Sequence, residues 1–191
     1  MATPGNTNTI SYNADLAKHL LLNSGCLYKD YGLATEAIIS ATAGGSEFDC
    51  TVKSRDVKCD GLKGPQKGLR FFTDAEITLK TALLEITPET LAMTLIADID
   101  TTTDPDYDVI TGRMNILDSD YITNIALVAE LSGSLKPIII IMSNILNTDG
   151  LKFKTQDDND NSLSTTFTAF GDPSSPTELP YEIRYPKLVT V

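Results

Sequence analysis

Few residues of this chain are of types that do chemistry, and their spacing argues against most of it. The single histidine, His19, follows Lys18 and has no acid, cysteine or serine around it in a recognisable nucleophile setting. One histidine excludes most catalytic triads and histidine-rich metal sites. The three cysteines, Cys26, Cys50 and Cys59, are odd in number and lack C-x-x-C spacing. They suggest neither a zinc site nor a disulfide framework and read as small apolar fillers, with a Cys50–Cys59 bridge across a hairpin as the other possibility. Carboxylates are dense at Asp98, Asp100, Asp104, Asp106 and Asp108, enough for a hard cation such as calcium. The EF-hand spacing, with its glycine and distal glutamate, is absent, which favours an exposed acidic loop. The "DDNDNS" stretch at 157–162 fails the same way, with Ser162 at position six and Thr168 at position twelve, and reads as a turn. Two of the 26 acids could converge as a glycosidase pair, but sugar sites usually also present tryptophan, and the chain has none. The expectation is a protein that is no enzyme, with no metal and no cofactor.

One loop stands apart. "DGLKGPQK", from Asp60 through Gly61, Leu62, Lys63, Gly64, Pro65 and Gln66 to Lys67, is locally basic, and its glycines and proline forbid regular structure. It does not match the phosphate-binding G-x-x-x-x-G-K-[ST] pattern, so Lys63 and Lys67 are expected to meet an acidic partner surface or solvent.

The elements that would hold this loop alternate with period two. From Leu69 to Leu83 the odd positions include Leu69, Phe71, Ala75, Ile77, Leu79 and Leu83, whereas the even ones include Arg70, Asp74, Glu76 and Lys80. That is a strand with one apolar and one wet face. Its span would be on the order of 50 Å, against roughly 40 Å for a compact chain of this size, so it must bend round a barrel or project beyond its core. Thr87 then caps a helix over 88–97, with Pro88 at its first position, Glu89 in the first turn and Leu91, Met93, Leu95 and Ile96 on the apolar side.

Upstream, "GCLYKDYGLATEAIISATAGG" predicts one or two short strands, the second ended by Gly44-Gly45. Apolar parity flips between Val52 and Val57, which predicts a hairpin turn or bulge near Lys53–Asp56. Downstream, "DYITNIALVAEL" and "SLKPIIIIMSNIL" read as strands covered on both faces, "LKFKT" and "LSTTFTAF" as alternating strands, and Tyr181–Tyr185 as a short strand stopped by Pro186. The sum is eight to ten strands and one helix in a mainly β sandwich or barrel.

The 191 residues are 41% hydrophobic, enough for one core. Fifteen basic residues against 26 acidic ones give a net charge of −11. Such a chain should not grip phosphate backbones, although an acidic surface could line a wall past which nucleic acid slides; plain solubility is the simpler reading. No apolar run reaches the roughly 18 residues that span a bilayer, and the N-terminus lacks a basic leader, so a cytoplasmic product with no membrane association is expected.

Taken in order, "YGLATEAI", "KCDGLKGPQKGLR", the long strand, "LLEITPETL", two apolar strands, "LSTTFTAFGDP" and "LPYEIRY" resemble the tail tube proteins, or major tail proteins, of long-tailed bacteriophages over roughly residues 25–185. The resemblance implies a tail-tube-like β-sandwich with a flanking helix, spanning 23–185, with extended arms at 1–22 and 186–191. It implies homo-hexameric rings stacked into a tube in the virion tail, assembled in the host cytoplasm. Tape measure, tail initiator and tail terminator proteins would be its partners, and DNA would pass through without specific binding. The loop Asp60–Lys67 would reach the neighbouring ring, and Asp74 and Glu76 would be candidates for the lumen. The alternative is a non-enzymatic β-sandwich module that binds carbohydrate or a receptor.

Overall fold

Alternating, β-branched segments form ten strands among the described residues, which are 16–153 and 161–187 of a computed structural model. The first fifteen residues of the expected arm, most of the 157–162 turn and the tail from 188 lie outside them. The strands are β1 (Leu21–Lys29), β2 (Ala37–Ile38), β3 (Thr42–Asp56), β4 (Arg70–Leu83), β5 (Ala97–Asp100), β6 (Val109–Gly112), β7 (Ile122–Leu131), β8 (Ile138–Asn147), β9 (Leu163–Ala169) and β10 (Tyr181–Arg184). The one α-helix, α1, is Pro88–Leu95.

All pairings are antiparallel. The main sheet runs β2-β1-β7-β8-β9-β4-β3, and β10 pairs with the first half of β8 on the side that β9 takes over at Ile145–Asn147. That hand-over lets the sheet turn on itself, so that β1, β7 and β8 face β3, β4 and β9 in a sandwich-like arrangement. Leu27, Ile77, Leu79, Leu83, Ile125, Met142, Ile145, Leu163 and Phe167 fill the interior, each essentially without solvent exposure. Near the seam between β2 and β3, Ser40 is buried and accepts from the Glu85 amide at 2.9 Å. Inside the core edge, Asn147 Nδ2 donates to Thr165 Oγ1 at 2.6 Å, which satisfies two buried polar groups at once.

The mainly β sandwich with one flanking helix is as expected, and several details differ. α1 ends at Leu95, two residues early, because Ile96 takes a left-handed conformation (φ 54°) that sends the chain into β5. Its buried residues are Thr90 and Thr94, with Leu91 and Met93 only packed against the core. The Thr87 hydroxyl accepts from the Thr90 amide and the Thr90 hydroxyl from the Thr87 amide, a reciprocal cap in which threonine replaces the usual Glu or Gln.

Gly44-Gly45 does not end a strand. Both glycines have φ near +80° and form a bulge inside β3, where the register slips between Thr42–Leu83 and Ser46–Thr81. At Lys53–Asp56 the bulge is found and not the turn: the ladder continues, and its register slips between Lys53–Asp74 and Ser54–Phe72, with Thr73 of β4 as the extra residue. Of "LKFKT", the described residues 151–153 make an isolated bridge, Lys152 to Ser164, and Phe153 is exposed, while 154 and 155 lie outside the described residues. The acidic segment after α1 contains the two-stranded sheet β5–β6, which its composition concealed. All three cysteines are free, so the Cys50–Cys59 bridge is not made; Cys50 packs against the core, but Cys59 is exposed and fills nothing.

Phe167 is the largest fully buried side chain. Phe167→Ala should lower unfolding free energy by about 3–5 kcal/mol, read as a fall in the urea midpoint at unchanged slope.

Candidate assembly surface

The β3–β4 ladder falls into two halves. From Thr42–Leu83 to Val52–Ala75 it covers the core, with Phe48, Cys50, Ile77 and Leu79 pointing inward. From Lys53–Asp74 outward it leaves the core and continues through Ser54–Phe72, Arg55–Phe71 and Asp56–Arg70, with the Val57 amide donating to the Leu69 carbonyl at 2.8 Å. The stretch from Ala75 to Leu69 carries the hairpin roughly 20 Å outward at ~3.3 Å per residue. Of residues 53–74 only Asp56, Val57 and Leu69 are even half-buried.

Two ion pairs stiffen this arm: Lys53 to Asp74 at 2.9 Å and Arg70 to Asp56 at 2.8 Å. Each hydrogen bond from the cation holds its carboxyl below the usual range, Asp74 through Lys53 and Asp56 through Arg70. Both pairs are solvated, so they orient the hairpin more than they stabilise the fold. At the tip, Asp60, Gly61, Leu62, Lys63, Gly64, Pro65, Gln66 and Lys67 are all exposed. Among the described residues the ammonium groups of Lys58, Lys63 and Lys67 have no carboxylate partner, whereas Phe71 is 51% and Phe72 80% exposed. Consecutive strand residues point to opposite faces, so both faces of the arm carry an aromatic ring in water. The sequence held that signal: two adjacent aromatics in one strand cannot both reach one core.

Asp74 and Glu76 lie at alternate positions of β4, opposite Lys53 and Thr51. The sheet face they begin continues with Thr78 and Lys80, flanked by Glu47 and Asp49 of β3 and by Thr166 and Thr168 of β9. Arg70, expected on this face, lies beyond the Thr73 bulge and is taken up by Asp56. The structure therefore places the tip loop and the two acids on one ladder but about 20 Å apart along it. β3 ends the strand order, and its outer edge has no strand partner among the described residues.

A second feature, the flap 97–120 built on β5–β6, has the opposite charge. It carries seven aspartates and one cation, Arg113. Arg113, itself largely buried, contacts Asp98 at 2.9 Å and Asp120 at 2.5 Å and so ties the flap to the short turn Asp118–Asp120. Asp120 also accepts from the Leu117 amide at 2.7 Å, and that bond, followed by the Arg113 guanidinium, pulls its carboxyl below the usual range. Two aspartates of the dense acidic run bond locally: Asp100 accepts from the Thr102 and Thr103 amides and hydroxyls, and Asp104 from the Asp106 amide. No group of three or more His, Cys, Asp or Glu side chains among the described residues could hold a metal.

His19 Nδ1 lies 2.8 Å from the Tyr185 hydroxyl, which joins the N-terminal segment to the end of β10. A cleft of about 790 Å³ opens at the Gly44-Gly45 bulge, but its lining opposes Glu47 and Asp149 to Lys80 and Lys152 and includes no aromatic side chain. It lacks the stacking platform that a carbohydrate module needs.

No protein-family model matches the chain, and no curated protein matches it in sequence. Among solved structures it is similar to one described as "Tail of empty GTA particle computed with helical refinement, C6 symmetry". The identity is 11% and the TM-score 0.44, over 78% of this chain and 92% of that one.

Two outcomes follow from this geometry. The paired variant Phe71→Ser, Phe72→Ser should keep unfolding free energy within ~0.5 kcal/mol of the parent, because nothing in the core is touched, while reducing self-association measured by light scattering. Because the Asp120 carboxyl sits below its unfolded value, its stabilisation is complete above about pH 4 and is lost as pH falls through the folded value. Asp120→Asn should therefore lower the thermal midpoint at pH 7, and the gap from the parent should close in acid.

Proposed function

We propose that this chain is a structural subunit that assembles with copies of itself into stacked rings, forming the tail tube of a phage-like particle. The observation that carries the proposal is the β3–β4 arm, which leaves its own core with an aromatic side chain on each face. An isolated two-stranded hairpin is marginal in water, and exposed aromatic surface of this kind marks an interaction site. The unpaired edge of β3, fifteen residues long, adds a second surface that a solitary subunit would have to protect.

In this reading neighbouring copies in a ring meet along sheet edges, and the arm with its tip loop Asp60–Lys67 crosses to the next ring. A contact between unlike patches closes into a ring or runs on as a stack, and a tube needs both. The number of copies per ring would be six. The face bearing Asp74 and Glu76 would look into the lumen, where carboxylates and threonine hydroxyls outnumber the cation Lys80 and offer phosphate little grip. DNA would pass without specific binding, and an initiator, a terminator and a tape measure would set where the tube begins, where it ends and how long it is.

Negative-stain electron microscopy across a concentration series, with light scattering alongside, tests this. Rings or tubes with a central hole are expected. A chain that remains monomeric at every concentration, and that also fails to extend supplied tail initiators, overturns the proposal.

A further inference from the structure

Charge is segregated within the chain in a way that its total conceals. Residues 53–74 carry six cations (Lys53, Arg55, Lys58, Lys63, Lys67 and Arg70) against three acids. The rest of the chain has nine basic residues against 23 acidic ones, and its acidity peaks in the flap, with seven aspartates against Arg113 alone. Both features also expose apolar side chains. On the arm these are Leu62, Phe71 and Phe72; on the flap, Tyr107 is 73% exposed, Met114 is fully exposed, and Ile116 stands half in solvent.

We infer that the arm of one copy docks on the β5–β6 flap of a second copy, resting on the assembly proposed above and naming the surface that receives the arm. The flap matches the arm in both respects that decide an interface: apolar side chains for its centre and unpaired opposite charge for its rim. The cations involved are free, since Lys63 and Lys67 hold no carboxylate among the described residues, and so are the receiving acids, since the carboxylates of Asp106 and Asp108 hold no cation there. Arg113 supplies the rigidity. By fixing the flap to the turn at Asp118–Asp120, it lets the exposed aspartates be presented as a surface. The two patches are unlike, so the contact is head-to-tail and repeats from copy to copy.

The test is a charge exchange between full-length chains. Lys63→Glu with Lys67→Glu reverses the charge of the arm's tip, and Asp106→Lys with Asp108→Lys reverses that of the receiving pair on the flap; all four residues are exposed, and denaturation curves check that both variants fold. Each variant alone should lose assembly in sedimentation velocity and electron microscopy. An equimolar mixture should regain it, because each tip then meets a receiving pair of opposite sign, and the quadruple variant should assemble alone. Raising salt from 0.1 M to about 1 M shortens the screening length from ~10 to ~3 Å and should weaken the parent's assembly. If the parent assembles but the arm variant assembles equally well, or the mixture shows no rescue, the arm docks elsewhere and the inference falls while the assembly reading stands. If the parent assembles neither alone nor on supplied tail initiators, both fall together.

Discussion

The ladder between β3 and β4 is the constraint on which the rest of the molecule depends. Its inner half is half of the core: Ile77, Leu79 and Leu83 from β4, with Phe48 and Cys50 from β3, face Leu27, Ile125 and Met142 across the sandwich. Its outer half has no core at all and inherits its order from the inner half through a ladder that resumes after the register shift at Lys53–Ser54. A free hairpin of that length would be marginal, so the arm is ordered only because its base is buried. The Thr73 bulge between the halves adds local twist and re-aims the arm relative to the sheet, and the ion pairs Lys53–Asp74 and Asp56–Arg70 sit on either side of it. The direction in which the arm leaves the body is thus set by packing some distance away.

Much of this could be read in the residues, because hydrophobic period is a local property. The alternation from Leu69 to Leu83 gave the long strand, its excess length left bending round a barrel or projection as the two outcomes, and Thr87-Pro88-Glu89 gave the helix start. What could not be read is what depends on a partner strand. Gly44-Gly45 looks like a terminator, yet with Leu83 and Thr81 opposite it becomes a bulge. β5–β6 is stable because Arg113 clamps it to Asp120 from outside, whereas its own composition of aspartate and threonine is that of a loop. Of the candidate surface, the basic tip was legible from its glycines and lysines. That one of Phe71 and Phe72 must face water was legible from their adjacency, but the exposure of Phe71 was hidden, since a period-two reading assigns it to the core that the strand has already left.

On the assembly proposed above, the same separation would let an acidic chain meet copies of itself in one orientation. A net charge of −11 spread evenly would repel every approach equally. Concentrating six cations on one arm makes a single approach attractive while the acidic bodies still repel one another, so electrostatics selects an orientation before any apolar contact forms. The sheet face that begins at Asp74 and Glu76 belongs to the same division. Its cation at the arm's base, Lys53, is occupied by Asp74, and the positions between the remaining charges are largely threonine, with Thr148 and Thr168 sharing a hydrogen bond at 2.9 Å. On the proposed assembly, concentrating cations on the arm would have two effects: it would build a docking element, and it would leave a face of carboxylates and hydroxyls, with Lys80 as its exposed cation, along which a polyanion finds few places to hold.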